Sequence, residues 1–217
     1  MIISHGRQYV FVHIPKTGGT SLALALEAKA MKDDILVGDT PKSKQRRSRL
    51  KALKPEGRLW KHSRLIDIYG VLSPAEMSDY FVFTLVRNPW DRLVSYYHWL
   101  QVQTFNNIAI DIAQANDFTS FLNHNHIVQS VRNSPYQSYV TDKSGQNCCD
   151  VFLQLEKIKL GVEQIEDRLE FRLPAIERVN SSARDRDYRK YYSSDDATLV
   201  AELCADDIGR HGYQFDP

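Results

Sequence analysis

The chain has 217 residues, a length that fits one compact domain better than two. Hydrophobic residues make up 42% and charged residues 25%, which excludes a disordered or collagen-like chain. The formal net charge of +1 argues against a wholly basic nucleic-acid-binding module. We expect a single domain over residues 1–217 and no nucleic-acid partner.

The cysteine and hydropathy patterns favour a reducing compartment and a chain without a membrane span. Cys148 and Cys149 are adjacent and Cys204 stands alone, so no disulfide framework is expected and a reducing environment is favoured. No run of about 18 apolar residues is present, and the start lacks the layout of a signal peptide. We expect a cytoplasmic protein without a transmembrane segment.

Two units in the first half of the chain have the order strand, loop, helix. A β-branched and aromatic run at 9–14 predicts a buried strand, and the Ala- and Leu-rich run at 22–31 predicts a helix capped by Thr20 or Ser21. The second unit comprises a strand over 80–86, a loop that begins at Arg87 and a helix over 90–103.

The remaining segments continue this alternation. In chain order they are a short strand near 59–62, a brief helix starting at Ser73 and Pro74, a helix over 118–123, a strand over 150–155, and helices over 162–170 and 197–208. Strands that alternate with helices predict an α/β fold, a three-layer sandwich with a central, mostly parallel sheet flanked by helices.

The first loop, residues 13–21, reads His-Ile-Pro-Lys-Thr-Gly-Gly-Thr-Ser and is typical of an anion site. Gly18 and Gly19 let the backbone approach a ligand, and the amides that follow lie at a helix N-terminus, where the dipole favours an anion. Lys16 precedes the glycines, so this is P-loop-like but not the common nucleoside-triphosphate loop. The polar side chains of the loop are Lys16, Thr17, Thr20 and Ser21.

The second loop also has phosphate chemistry. Arg87 ends a strand and is able to contact a phosphate with two N–H groups, and Ser95 lies about two turns into the next helix. The competing interpretation is that Arg87 pairs with Asp91 and that Ser95 only fills the helix. The presence of the first loop favours phosphate binding.

Together the two loops resemble those of sulfotransferases that use 3′-phosphoadenosine 5′-phosphosulfate (PAPS), in particular the carbohydrate-type branch, sulfotransferase family 2. Residues 13–21 are similar to its 5′-phosphosulfate loop, and residues 84–95 (Thr-Leu-Val-Arg-Asn-Pro-Trp-Asp-Arg-Leu-Val-Ser) to its 3′-phosphate motif, with Arg87 and Ser95. Segments of 179–215 also resemble that branch. Within them, Ser182 and Arg184 of this chain are chemically suited to close over the 3′-phosphate.

The resemblance implies a reaction. A sulfuryl group passes from PAPS to a hydroxyl, less commonly an amine, of a glycan, and adenosine 3′,5′-bisphosphate (PAP) is released. Acceptor oxygen, sulfur and leaving oxygen lie in line, as in phosphoryl transfer. Lys16 and the loop amides are expected to stabilise the charge on the leaving group, and no metal is required.

A base must take the acceptor proton, and the resemblance points to His62, although Lys61 replaces the glycine that often precedes this histidine. An imidazole titrates near working pH, which suits the role. Further candidates are His13, His98, Glu27 and Glu76, and the segment with Gln137 and Tyr139 is expected either to face nucleotide or acceptor or to be a surface loop.

Residues 42–64 contain ten Lys or Arg and one acid, a local charge of +9 that leaves −8 for the remainder. Such a block is usually solvated and mobile, or else it attracts a polyanion, here an acidic glycan acceptor. Two other functions stay open: a P-loop phosphotransferase that uses ATP, and a non-catalytic polyanion-binding protein. The first lacks an evident magnesium carboxylate, and the second leaves both phosphate loops unexplained.

Overall fold

The computed structural model describes residues 1–177, 179 and 184–216. The chain forms two compact units. The first comprises Met1–Val86 and Gln137–Val179, and the second comprises Arg87–Tyr136 and Asn180–Pro217. The expectation of one domain over the whole length stays a prediction.

A five-stranded sheet forms the centre of the first unit. Its strands are β1 (Ile2–Ser4), β2 (Tyr9–Val12), β3 (Ile35–Leu36), β4 (Phe81–Val86) and β5 (Val151–Gln154). The order across the sheet is β3-β1-β2-β4-β5, where β2, β4 and β5 are parallel and β1 is antiparallel to both β2 and β3. Four of the five strands therefore point the same way, and the predicted α/β class with a mostly parallel sheet is confirmed.

The described residues also form ten α-helices. In chain order they are α1 (Gly19–Ala28), α2 (Pro41–Arg46), α3 (Pro74–Met77), α4 (Pro89–Gln101), α5 (Ile108–Ala115), α6 (Phe118–Asn123), α7 (Asn125–Arg132), α8 (Ile158–Leu169), α9 (Ser194–Leu203) and α10 (Ala205–His211). No helix in the described part of the chain is long and apolar enough to cross a membrane.

The sheet is buried because its strands are apolar at successive positions. Alternate residues of β2 and β4, such as Phe11 and Phe83, pack with Leu22 and Leu26 of α1 and with Ile165 of α8. The intervening residues of both strands are buried as well. Each large side chain removed from water in this way contributes about 1.5 to 3 kcal/mol.

One predicted strand is wrong. Residues 59–62 form a turn, in which the backbone amide of Trp60 donates to Ser63 Oγ at 2.8 Å and Ser63 Oγ donates to the carbonyl oxygens of Arg58 and Trp60. The Ser63 hydroxyl thus supplies local partners for backbone groups that a strand would pair across a ladder.

Several helix boundaries also differ from the prediction, and α8, for example, begins at Ile158 and not at residue 162. Helix α1 begins earlier than expected, with Gly18 in the left-handed conformation as its N-cap, so neither Thr20 nor Ser21 caps it. The last predicted helix, 197–208, is two helices, since α9 ends before Cys204 and α10 begins after it.

The second unit is helical and is built around α4. Asn88 caps this helix, since its Oδ1 accepts a hydrogen bond from the amide of Trp90 at 3.1 Å, and Pro89 occupies the first turn. The buried face of α4, which includes Leu93, Val94 and Tyr97, packs against neighbouring helices of the unit. Arg87, the residue after β4, therefore comes directly before Asn88, the N-cap of α4.

Candidate active site

The first loop leaves the sheet where β2 ends. The side chain of Thr17 is fully buried, and its Oγ1 donates a hydrogen bond to the carbonyl oxygen of Ile14 at 2.9 Å. Lys16 lies within this closed turn and has a φ of +67°. That conformation costs a non-glycine residue about 1 to 3 kcal/mol and is retained mainly where the surrounding structure imposes it, often at functional sites.

Close packing around the loop leaves no room for a side chain at Gly18 or Gly19. Gly18 has a φ of +85°, and a Cβ there would lie 2.7 Å from Leu155 Cδ1. A Cβ on Gly19 would lie 2.3 Å from Cδ2 of His13. The sequence suggested a close approach to a ligand, and the structure adds that the backbone lies against its own neighbouring side chains.

Helix α1 presents its first amides at the end of this loop. Gly19, Thr20 and Ser21 occupy its first turn, where N–H groups lack partners within the helix and the dipole is positive. The amide of Ser21 donates to the Gly18 carbonyl at 3.1 Å, and Ser21 Oγ accepts from the amide of Val179 at 3.2 Å. The predicted loop residues therefore do form a helix N-terminus suited to an anion.

His62 is fixed against the start of the same loop. Its Nδ1 lies 2.7 Å from the carbonyl oxygen of His13, the residue after β2, and its ring meets the His13 ring edge-on at 4.7 Å between centroids. A carbonyl oxygen only accepts, so Nδ1 carries the proton and the lone pair of neutral His62 lies on Nε2. Burial lowers the pKa of His62 to about 4, although the bond to His13 opposes the shift.

The other base candidates are engaged elsewhere. His13 is buried, and burial lowers its pKa well below 6.5. The buried carboxylate of Glu27 accepts hydrogen bonds from the hydroxyls of Thr40 and Ser43. Two candidates remain. The Glu76 carboxylate accepts a hydrogen bond from the amide of Ser73 in the capping box of α3, and His98 Nδ1 donates to the carbonyl oxygen of Val94 at 2.9 Å.

In the second unit, one carboxylate is bound by two arginines. Arg87 contacts Asp91 Oδ2 through Nε at 2.7 Å and through a terminal nitrogen at 2.6 Å, and Arg184 binds Asp91 Oδ1. The side chains of both arginines are at most 10% exposed. The pairing of Arg87 with Asp91, considered from the sequence as the competing interpretation, does occur. The cluster nonetheless carries a net charge of +1 and holds Arg87 and Arg184 together.

Residues that the sequence did not single out hold Arg87 in place. The buried hydroxyl of Tyr136 donates to the Arg87 carbonyl oxygen, and the amide of Tyr136 donates to both carboxylate oxygens of Asp207, at 3.0 and 3.1 Å. Burial raises the pKa of Asp207 to about 6. The signal that was available for this region was Asn88-Pro89, a capping pattern. Tyr136 is distant in sequence and carried no signal.

The structure places the remaining candidates as follows. Ser95 is buried on α4. Ser182 lies outside the described residues. Gln137 is half-buried, and Tyr139 is buried beneath Arg64, whose guanidinium carbon lies 5.5 Å from the ring centroid. The segment with Gln137 and Tyr139 is thus packed in the first unit and is not an exposed surface loop.

The basic segment 42–64 is ordered by its own cations. The segment contains most of helix α2 and a 3₁₀ helix, Arg47–Ala52. Lys42 and Arg46 donate to the carbonyl oxygens of Glu27 and Met31, at and beyond the C-terminal end of α1, where positive charge is favourable. The described residues contain no group of three His, Cys, Asp or Glu side chains arranged to hold a metal ion.

These observations define a class of protein, an α/β protein in which a glycine-containing loop leads from one strand into a helix N-terminus and a buried, carboxylate-bound arginine follows another strand. A family model described as "Sulfotransferase family" matches residues 1–159, and the chain belongs to that family. The predicted family and enzyme class, a sulfotransferase, are confirmed. The matched residues include both loops and His62 but not the segment 179–215.

The other comparisons add little to this assignment. A crystal structure of mouse sulfotransferase SULT7A1 complexed with PAP is similar at 16% sequence identity, with a TM-score of 0.48, over 96% of this chain and 88% of that chain. No curated protein sequence matches the chain.

Proposed function

We propose that this chain is a PAPS-dependent sulfotransferase that transfers a sulfuryl group to a hydroxyl of a carbohydrate acceptor, with His62 as the general base. The observation that carries the proposal is the hydrogen bond from His62 Nδ1 to the His13 carbonyl at 2.7 Å. It directs an unprotonated Nε2 away from the strand that leads into the anion loop. Family membership supplies the reaction class.

Two sets of groups on the chain, each considered within its own unit, suit the two anionic ends of the donor. The first turn of α1 and Lys16 suit a 5′-phosphosulfate, for which PAPS supplies an activated sulfuryl group when it is bound. Arg87 and Arg184 suit a 3′-phosphate, because two buried guanidinium groups are held close together and each has the planar donor geometry that binds phosphate. In this proposal Thr17, Gly18, Gly19, Thr20 and Ser21 line the first end, and Ser95 and Ser182 assist the second.

His62 is suited to accept the acceptor proton. With a pKa near 4 it is neutral at pH 7, so a large fraction of the enzyme is ready to act as a base. The lowered pKa also makes it a weaker base than an exposed histidine, but the acceptor hydroxyl becomes strongly acidic as its oxygen bonds to sulfur, so its proton passes to Nε2 as that bond forms. Lys16 and the amides of α1 stabilise the charge that develops on the leaving phosphate.

The acceptor class rests on the resemblance and on charge. Segment 42–64 carries +9, and its exposed cations include Lys44, Lys51, Lys54 and Arg58. A field of this sign favours an acidic sugar chain over a neutral one. We also place the reaction in the cytoplasm, since Cys148, Cys149 and Cys204 are free thiols.

Ligand-dependent melting tests the donor. PAP without magnesium should raise the melting temperature, because a ligand that binds only the folded chain stabilises it, and ATP with magnesium should do little. Stabilisation by ATP and magnesium alone would favour a phosphotransferase. No shift with either nucleotide, together with tight binding of heparin, would favour a non-catalytic polyanion binder.

A further inference from the structure

Three side chains near the end of the basic segment are linked by two contacts, both made by Trp60. The guanidinium carbon of Arg58 lies 5.2 Å from the ring centroid of Trp60, and the Trp60 ring meets the His62 ring edge-on at 5.1 Å between centroids. The indole is therefore in contact both with a cation and with the proposed base. Each contact falls in the range in which such groups attract one another.

The Trp60 side chain is 40% exposed. The turn that holds it is closed by backbone bonds to the Ser63 hydroxyl, so the indole itself is not needed to form the turn. A single exposed aromatic residue is ordinary on a protein surface. This one is distinguished by its position, since it lies against the group proposed to deprotonate the acceptor.

The charge around Trp60 is positive. Glu56, the one acid of segment 42–64, is paired with Lys143, and Lys61 is paired with Asp39 at 2.7 Å. Arg58 is exposed, and no carboxylate of the described residues lies within 4 Å of its nitrogens. Its guanidinium keeps the planar donor geometry that binds a carboxylate or sulfate with two parallel hydrogen bonds.

We propose that Trp60 and Arg58 form an acceptor subsite for an anionic sugar. The exposed part of the Trp60 indole packs against the C–H face of the sugar ring and brings one of its hydroxyls to His62. Arg58 binds the carboxylate or sulfate of that sugar or of its neighbour. This subsite rests on the proposed function, because it takes His62 as the base.

Calorimetric titration of the PAP-saturated protein tests the subsite. The probes are a heparosan tetrasaccharide, which carries carboxylates, a chondroitin 4-sulfate tetrasaccharide, which carries sulfates as well, and chitotetraose, a neutral sugar of the same length. A polyglutamate peptide represents a different class of polyanion. The variants are Trp60→Ala, Trp60→Phe and Arg58→Ala, and Arg47→Ala is the matched control, an exposed arginine of the same segment.

At least one acidic tetrasaccharide should bind, and chitotetraose should bind much more weakly. Trp60→Ala and Arg58→Ala should each weaken binding of the acidic sugar by roughly tenfold, Trp60→Phe by less, and Arg47→Ala by less than twofold. The preference between heparosan and chondroitin 4-sulfate identifies the anionic group, and loss of that preference in Arg58→Ala assigns the contact to Arg58.

Four results would overturn the subsite: no binding of either acidic sugar, equal binding of chitotetraose, equal losses in Arg47→Ala and Arg58→Ala with none in Trp60→Ala, or tighter binding of polyglutamate. The PAP-induced rise in melting temperature is recorded for every variant. If that rise persists while sugar binding fails, the subsite is wrong and the proposed donor stands. If the rise is absent in the wild type, the proposed function fails first.

Discussion

The Nδ1 atom of His62 donates a hydrogen bond to the backbone carbonyl oxygen of His13 over 2.7 Å. This bond joins a turn in the basic segment to the end of the strand that leads into the anion loop. It fixes the ring orientation and the tautomer together, so that Nε2 is the basic atom. A residue 49 positions away in sequence is thereby tied to the loop whose chemistry it is proposed to complete.

The first prediction concerns the pH dependence of catalysis. Because burial holds the pKa of His62 near 4, kcat/KM for sulfuryl transfer should stay level from pH 8 to about pH 5 and fall only below that. The measurement is a pH profile of kcat/KM at constant ionic strength. A fall centred near pH 6.5 would mean that the base is an exposed histidine or that His62 is not buried in solution.

The second prediction concerns stability. The unfolded chain binds a proton at His62 near pH 6.5, whereas the folded chain does so only near pH 4. The free energy of unfolding should therefore fall as pH drops through this window, by about 3 kcal/mol for His62. Denaturant unfolding of the wild type and of His62→Gln from pH 4 to 8 checks this.

The comparison with His62→Gln isolates one histidine from other groups that titrate in the same range. Burial raises the pKa of Asp207 to about 6, so its contribution has the opposite sign and is lost as pH rises from 3.8 to 6. The difference between wild type and variant should shrink toward acid pH. A difference that is independent of pH would contradict the prediction.

The third prediction separates two glycines. Gly19→Ala places a Cβ 2.3 Å from the buried His13 ring, so it should destabilise the protein by about 1 to 3 kcal/mol and lower turnover by displacing the partner of His62. Gly209→Ala is the matched control on helix α10, where a Cβ meets nothing within 4 Å. It should stabilise by up to about 1 kcal/mol. Equal unfolding midpoints for the two variants would show that the His13 contact is absent.

The fourth prediction concerns the arginine pair. Arg87→Ala should weaken PAP binding by roughly 10- to 100-fold and change the affinity for AMP, which lacks the 3′-phosphate, much less. Titration of both nucleotides gives the ratio of PAP affinity to AMP affinity. Arg189→Ala removes the same charge from the second unit, where Arg189 pairs with Asp187 and Asp216, and should leave the ratio unchanged. An unaltered ratio in Arg87→Ala would refute the 3′-phosphate assignment.

Local sequence patterns were enough to predict the elements that carry the loops. The apolar runs at 9–14 and 80–86 predicted β2 and β4, and a helix was predicted after each loop, although α1 begins at Gly19 and not at residue 22. These signals act over a few residues, through burial, caps and backbone freedom. The two-residue strand β3 is too short to have such a signal.

Relationships between distant residues were beyond such patterns. A single hydroxyl, that of Ser63, turned the predicted strand at 59–62 into the turn that presents Trp60 and His62. Tyr136 reaches the Arg87 carbonyl from 49 positions away, and Asp207 holds Tyr136 from 71 positions away. Nothing in the spacing of these residues distinguishes them from ordinary core positions.

We propose above all that His62 removes the acceptor proton during transfer from PAPS. The most direct test is single-turnover transfer of a labelled sulfuryl group from enzyme-bound PAPS to an acidic tetrasaccharide. His62→Ala should lower the rate by about 10² to 10⁴ while PAP affinity stays within about twofold of wild type. His126→Ala, which removes an exposed histidine of the second unit, is the control and should transfer at the wild-type rate. A loss below tenfold in His62→Ala, with PAP affinity intact, would contradict the account and assign the base to another residue.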